Sequence, residues 1–78
     1  MVNYAEAVEA ARKCWDQIDY VEEEPDAFIF SKKDDFSFGG NGPVVVLKDS
    51  GRCINMVNYL DEGHDATTLR EGYLKEFG

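Results

Sequence analysis

A chain of 78 residues with 16 acidic and 8 basic side chains carries a formal net charge of -8, which disfavours nucleic acid and anionic membrane surfaces, since Lys and Arg supply the affinity for both. The length is that of one domain, of a size that buries about 60% of its unfolded surface. Apolar residues make up 44% of the chain, with Trp15, four Tyr and five Phe among them, enough for a modest core without a metal or disulfide staple.

The first residues lack a basic, apolar and cleavable succession, and no apolar run approaches roughly 18 residues. A cytoplasmic protein without a membrane span is therefore expected. Asn3 followed by Glu6 has the form of a capping box at the start of a helix. Tyr4, Val8, Ala11, Trp15 and Ile18 recur at helical spacing on one face, with Trp15 as the expected anchor. Glu6, Glu9, Arg12, Lys13, Asp16 and Gln17 lie mostly opposite. The helix is expected to end near Asp19 or Tyr20, because Glu22-Glu23-Glu24 would oppose the negative end of its dipole and Pro25 cannot continue it. Residues 22–26 then read as an acidic connector. Cys14 and Cys53 could pair only if the fold brought them together, and in a cytosolic setting they are expected to be free, half-buried thiols.

Ala27–Ser31 reads as a strand with Phe28 and Phe30 on one face and Ile29 on the other. Lys32–Asp35 is turn-like and Phe36-Ser37-Phe38 alternates again. Two arms of a hairpin and one bulged strand both fit this stretch. Gly39-Gly40-Asn41-Gly42-Pro43 is a turn that opens the β-branched strand Val44–Leu47. Four consecutive apolar positions require that strand to be covered on both faces, or to meet another molecule with its outer face. A tight turn with Gly51 left-handed joins it to a second strand, Arg52–Val57. A closing helix is expected from Asp65 or Thr68, with Leu69, Tyr73 and Phe77 as its stripe and Gly72 as a weak point. The expected fold is a single α+β domain over residues 1–78, with an N-terminal helix, an antiparallel sheet of three to four strands and a C-terminal helix.

Chemistry-bearing motifs are few. His64 is the only histidine, and neither C-x-x-C nor H-x-x-x-H spacing is present, so no metal or other cofactor is expected. The glycine run leads into Pro43 and a strand rather than into a helix, unlike a phosphate loop. Asp34, Asp35 and Asp49 do not follow the spacing of a calcium loop. No catalytic constellation is assembled, and the chain is not expected to be an enzyme.

Gly40-Asn41-Gly42-Pro43 followed by Val-Val-Val-Leu-Lys-Asp-Ser-Gly-Arg52, behind an alanine-rich helix and Phe28-Ile29-Phe30, resembles the immunity protein 35 family. Those small bacterial proteins are assigned to neutralising a polymorphic toxin by binding it. The resemblance implies a protein partner and no catalytic residue, with Gly42, Pro43 and Gly51 as structural positions. An inhibitor of a nucleic-acid-degrading toxin has to fill a basic groove, and clustered carboxylates do so while speeding encounter. Glu22, Glu23, Glu24, Asp26, Asp34 and Asp35 are the expected partner-binding residues, from two connectors. The alternatives are a small-ligand-binding domain using the space between helix and sheet, and a self-associating module, a homodimer, using the outer face of Val44–Leu47.

Overall fold

A computed structural model of the chain describes residues 2–32, 43–63 and 67–77. Along the chain it comprises α1 (Tyr4–Cys14), β1 (Tyr20–Glu23), β2 (Ala27–Ser31), β3 (Val44–Leu47), β4 (Cys53–Asn55), α2 (Met56–Asp61) and β5 (Arg70–Tyr73). The strands form one sheet in the order β4-β3-β2-β1-β5, each antiparallel to its neighbours. β1 to β4 are laid side by side in chain order. After α2 the chain returns to the opposite edge, where β5 pairs with β1.

The capping box at α1 is formed. The Asn3 side chain accepts from the Glu6 N–H at 2.8 Å, and Glu6 Oε1 accepts from the Asn3 N–H at 3.3 Å. Ala7 and Ala11 are fully buried against the sheet, where small side chains let the helix backbone lie close. The helix ends at Cys14, a turn earlier than the apolar stripe suggests. Trp15 is its C-cap, in extended backbone and half-buried. The chain has to turn at Asp16-Gln17 to deliver Ile18 and Val21 to the core, and a longer helix would carry them past it.

The sheet is buried on both faces over β2 and β3. On one side Phe28, Phe30, Val44, Val46 and Val21 meet α1, Leu74 and Phe77. On the other, Ala27, Ile29, Val45 and Leu47 are covered by Tyr59 of α2, with Ile54 and Met56 alongside. Burying one such side chain contributes roughly 1.5–3 kcal/mol, so these two layers dominate the stability of the domain. All four residues of Val44–Leu47 are buried, as four consecutive apolar positions require. The outer face proposed for self-association is thus covered within the chain by α2. The Lys48–Gly51 turn has Gly51 at φ 75°, with its N–H bonded to the Leu47 carbonyl at 2.8 Å.

Three expectations need correction. Residues 22–26 are not a connector, because Glu22 and Glu23 belong to β1. Glu24-Pro25-Asp26 is the hairpin turn into β2, closed by the Glu24 N–H on the Ala27 carbonyl at 2.8 Å. Arg52–Val57 is a strand only over Cys53–Asn55, since Asn55 caps α2 by accepting from the Asn58 N–H at 2.7 Å. The expected C-terminal helix is strand β5 over Arg70–Tyr73, so the described sheet has five strands rather than three to four. Leu69, Tyr73 and Phe77 are spaced like a helical stripe, but period two competes with it. Glu71 and Tyr73 take one face, and Arg70 and Gly72 the other, opposite Glu23 and Val21. Gly72 leaves room for Phe77 to fold back, 3.9 Å from where a Cβ would sit. The Phe77 ring stacks 4.9 Å from Tyr4 and under the Arg70 guanidinium at 4.0 Å. The Phe36–Phe38 alternation and the Gly39–Gly42 turn lie outside the described residues.

Candidate functional site

Side chains of a strand alternate between faces, and β1 therefore separates the glutamates that follow one another in sequence. Glu23 points to the α1 side, where Lys48 Nζ reaches it at 2.8 Å and Arg70 Nε at 3.4 Å. Lys48 also sits over the Phe28 ring at 4.8 Å. The hydrogen bond from Lys48, with both positive charges, holds the Glu23 carboxyl below the usual carboxylate range against the opposing effect of burial. Glu23 is thus a structural ion pair. It joins β1 to the β3–β4 turn and to β5.

Glu22 takes the other face, opposite Ile29 on β2 and opposite Glu71 on β5. Glu24 follows it past the end of the strand and is only 1% exposed. Thr68 hydrogen-bonds the Glu24 carboxyl, yet Oε2 has no partner among the described residues. Burial, and then the neighbouring charge of Glu22, push its pKa above the ordinary value. Asp26 is exposed at the hairpin tip, where its carbonyl accepts from the Lys48 N–H at 2.8 Å. Asp34 and Asp35 lie outside the described residues. The four described carboxylates of the expected set therefore do not form one patch. Glu23 is neutralised within the chain, Glu24 is buried, and Glu22 remains at the surface of the sheet.

The structure supplies Glu22 with a different neighbour. The Tyr20 O–H donates to Glu71 Oε1 at 2.6 Å, and Tyr73 meets the Tyr20 ring edge-on with centroids 5.2 Å apart. That hydrogen bond first, then burial and the surrounding carboxylates, raise the Tyr20 phenol to about 12. Tyr20 thus stays a donor and fixes the Glu71 carboxylate in place. Like charges directly opposite on neighbouring strands are destabilising. Among the described residues neither Glu22 nor Glu71 is paired with a cation. Leu69 and Tyr73 continue the same alternation and are 59% and 37% exposed. The β1–β5 face accordingly presents two carboxylates framed by apolar and aromatic surface, the composition of a docking face for a positively charged group. Glu71 was hidden from sequence reasoning by its assignment to a helix. The signal that could have found it is the two-residue alternation Leu69, Glu71, Tyr73.

Two other features are poorer candidates. An open cleft of about 650 Å³ lies between α1 and the C-terminal segment, lined by Val8, Ile18 and Leu74 together with Arg12, Asp19 and Lys75. Its charged groups are of both signs. Among the described residues no group of three or more His, Cys, Asp or Glu side chains could hold a metal ion, and no helix is long and apolar enough to cross a membrane. Protein-family models, curated proteins and solved structures offer no match to this chain.

Proposed function

We propose that this protein is a binding module that captures a basic protein partner on the β1–β5 face, as an immunity protein captures a toxin. The observation that carries this reading is the facing pair Glu22 and Glu71, held side by side without a cation among the described residues. A Lys or Arg from a partner would relieve their repulsion and gain a charge-assisted hydrogen bond to each. Leu69 and Tyr73 would supply the apolar contact that gives such a complex its lifetime. The net charge of -8 favours encounter with a basic surface. The resemblance of Gly40–Arg52 to the immunity protein 35 family points to the same class of partner. Residues Glu22 and Asp26 of the expected set stay in this proposal, joined by Glu71, while Glu23 and Glu24 act within the fold.

Association kinetics with the product of the neighbouring gene, followed at several salt concentrations, test the proposal. Electrostatic steering is screened over roughly 8 Å at physiological ionic strength, so the association rate should fall steeply as salt rises. Changing Glu22→Gln and Glu71→Gln together should slow association several-fold and flatten the salt dependence. Glu6→Gln with Glu9→Gln removes the same charge from the exposed face of α1 and should change little. Equal effects of the two double variants would reduce the β1–β5 face to a contributor to net charge alone.

A further inference from the structure

The two cysteines of the chain are 39 positions apart in sequence, at 14 and 53, and sit on different elements. Cys53 belongs to β4 at the edge of the sheet, on the side packed against α1. Its Sγ donates to the carbonyl oxygen of Ala10 at 3.4 Å. Cys14 lies one turn further along α1, so its side chain stands on the same helical face as Ala10 and leans back over that turn. The Cys53 sulfur, seated on the Ala10 carbonyl, is thus a neighbour of Cys14 across the gap between α1 and β4. Burial comes first, and the adjoining Cys14 second, in raising the Cys53 thiol to about 11. Cys53 is half-buried and Cys14 is exposed. A contact between thiols is what disulfide formation requires, provided the Cβ atoms come within about 4.5 Å.

We propose that Cys14 and Cys53 form a redox-controlled disulfide that ties the last turn of α1 to strand β4. The oxidant class is a small-molecule disulfide, with oxidised glutathione as the probe. The exposed Cys14, as thiolate, attacks one sulfur of the probe. The S–S bond of the probe breaks, and one glutathione leaves as a thiolate that takes up a proton. Cys53 then gives its proton to water and attacks the Cys14 sulfur, expelling the second glutathione. Two protein thiols have lost two electrons and two protons, and one oxidised glutathione has become two reduced ones. The new bond closes a loop that holds β1, β2 and β3, so it restricts the unfolded chain strongly.

The test uses the full chain, native, equilibrated with reduced and oxidised glutathione in varied ratio and quenched with acid. Mass spectrometry of the intact protein should show a monomer that has lost two hydrogen atoms and carries no glutathione. The oxidised form should melt roughly 10 °C or more above the reduced form. Cys14→Ser changes an exposed side chain and leaves the core alone. This variant should keep the melting temperature of the reduced parent and gain nothing on oxidation. Cys53→Ser should accumulate the mixed disulfide at Cys14, the intermediate that Cys53 would otherwise resolve. The proposal is overturned if the parent stops at a glutathione adduct, or if the disulfide links two chains. Equal melting temperatures of oxidised and reduced protein would overturn the tie between α1 and β4.

Discussion

Glu24 offers a substitution that should stabilise the protein by taking a charge away. The residue is 1% exposed, one of its oxygens has no hydrogen-bond partner among the described residues, and Glu22 lies close enough to repel it. A buried acceptor left unsatisfied costs roughly 1–3 kcal/mol, and more when charged. Glu24→Gln keeps the shape and an acceptor for Thr68 while removing the charge. The gain at pH 7 should be about 1 kcal/mol or more, which for a domain of this size raises Tm by roughly 4–8 °C. The pH dependence fixes the cause. Folding raises the Glu24 pKa above 4.5, so the native state holds that proton more tightly than the unfolded chain. Its contribution is complete below pH 4.5 and is lost as pH rises through the folded value. The advantage of Glu24→Gln should therefore be near zero at about pH 4 and should grow toward neutrality. Urea denaturation of parent and variant across that range gives the difference directly. A variant less stable than the parent at pH 7, or a difference that does not change with pH, would refute the reasoning.

Glu23 should behave in the opposite sense. Its pKa is lowered by Lys48, so its contribution is complete above pH 4.5 and is lost as pH falls through the folded value. Lys48→Met should cost about 1–2 kcal/mol at pH 7 by urea denaturation, and the cost should shrink in acid as Glu23 protonates. Gly51→Ala should cost about 1–2 kcal/mol, because φ 75° strains any Cβ and the nearest atom, Val2 Cγ2, is 3.0 Å away. Phe30→Ala, at a fully buried position beneath α1, should cost about 3–5 kcal/mol, and Trp15→Ala distinctly less, because Trp15 is half-buried at the helix end. Parallel denaturation curves decide the order, and a larger loss at Trp15 would contradict the packing described.

Local rules were legible where one signal acted alone. Asn3 with Glu6 could only be a helix start, and Val44–Leu47 with the Gly51 turn could only be a hairpin arm, and both are formed. Legibility failed where two periods fitted the same residues. Leu69, Tyr73 and Phe77 satisfy a helical stripe, while Leu69, Glu71 and Tyr73 satisfy a strand. The decision falls to the β1 edge, whose Glu23 carbonyl accepts from the Leu69 N–H at 2.7 Å. No local signal contains that edge, because β1 was itself masked by three consecutive glutamates.

That masking is also why the candidate site was only half visible. A run of like charges reads as solvated surface, and the reading takes the charges as equivalent. The strand makes them unlike. Glu22 faces outward beside Glu71, Glu23 is spent on Lys48 and Arg70, and Glu24 is enclosed behind Thr68. Each fate follows from the two-residue alternation once the partner strands are placed, and none follows from composition. Tyr20 shows the same dependence. Its hydroxyl positions a carboxylate 51 positions away. If the β1–β5 face is the docking surface, Tyr20→Phe should weaken partner binding while leaving both charges in place, because Glu71 would lose its fixed orientation. A face acting through charge alone would be indifferent to that change. Association rates for Tyr20→Phe, at the salt concentration where Glu22→Gln with Glu71→Gln is most damaging, distinguish an oriented pair of carboxylates from a diffuse negative field.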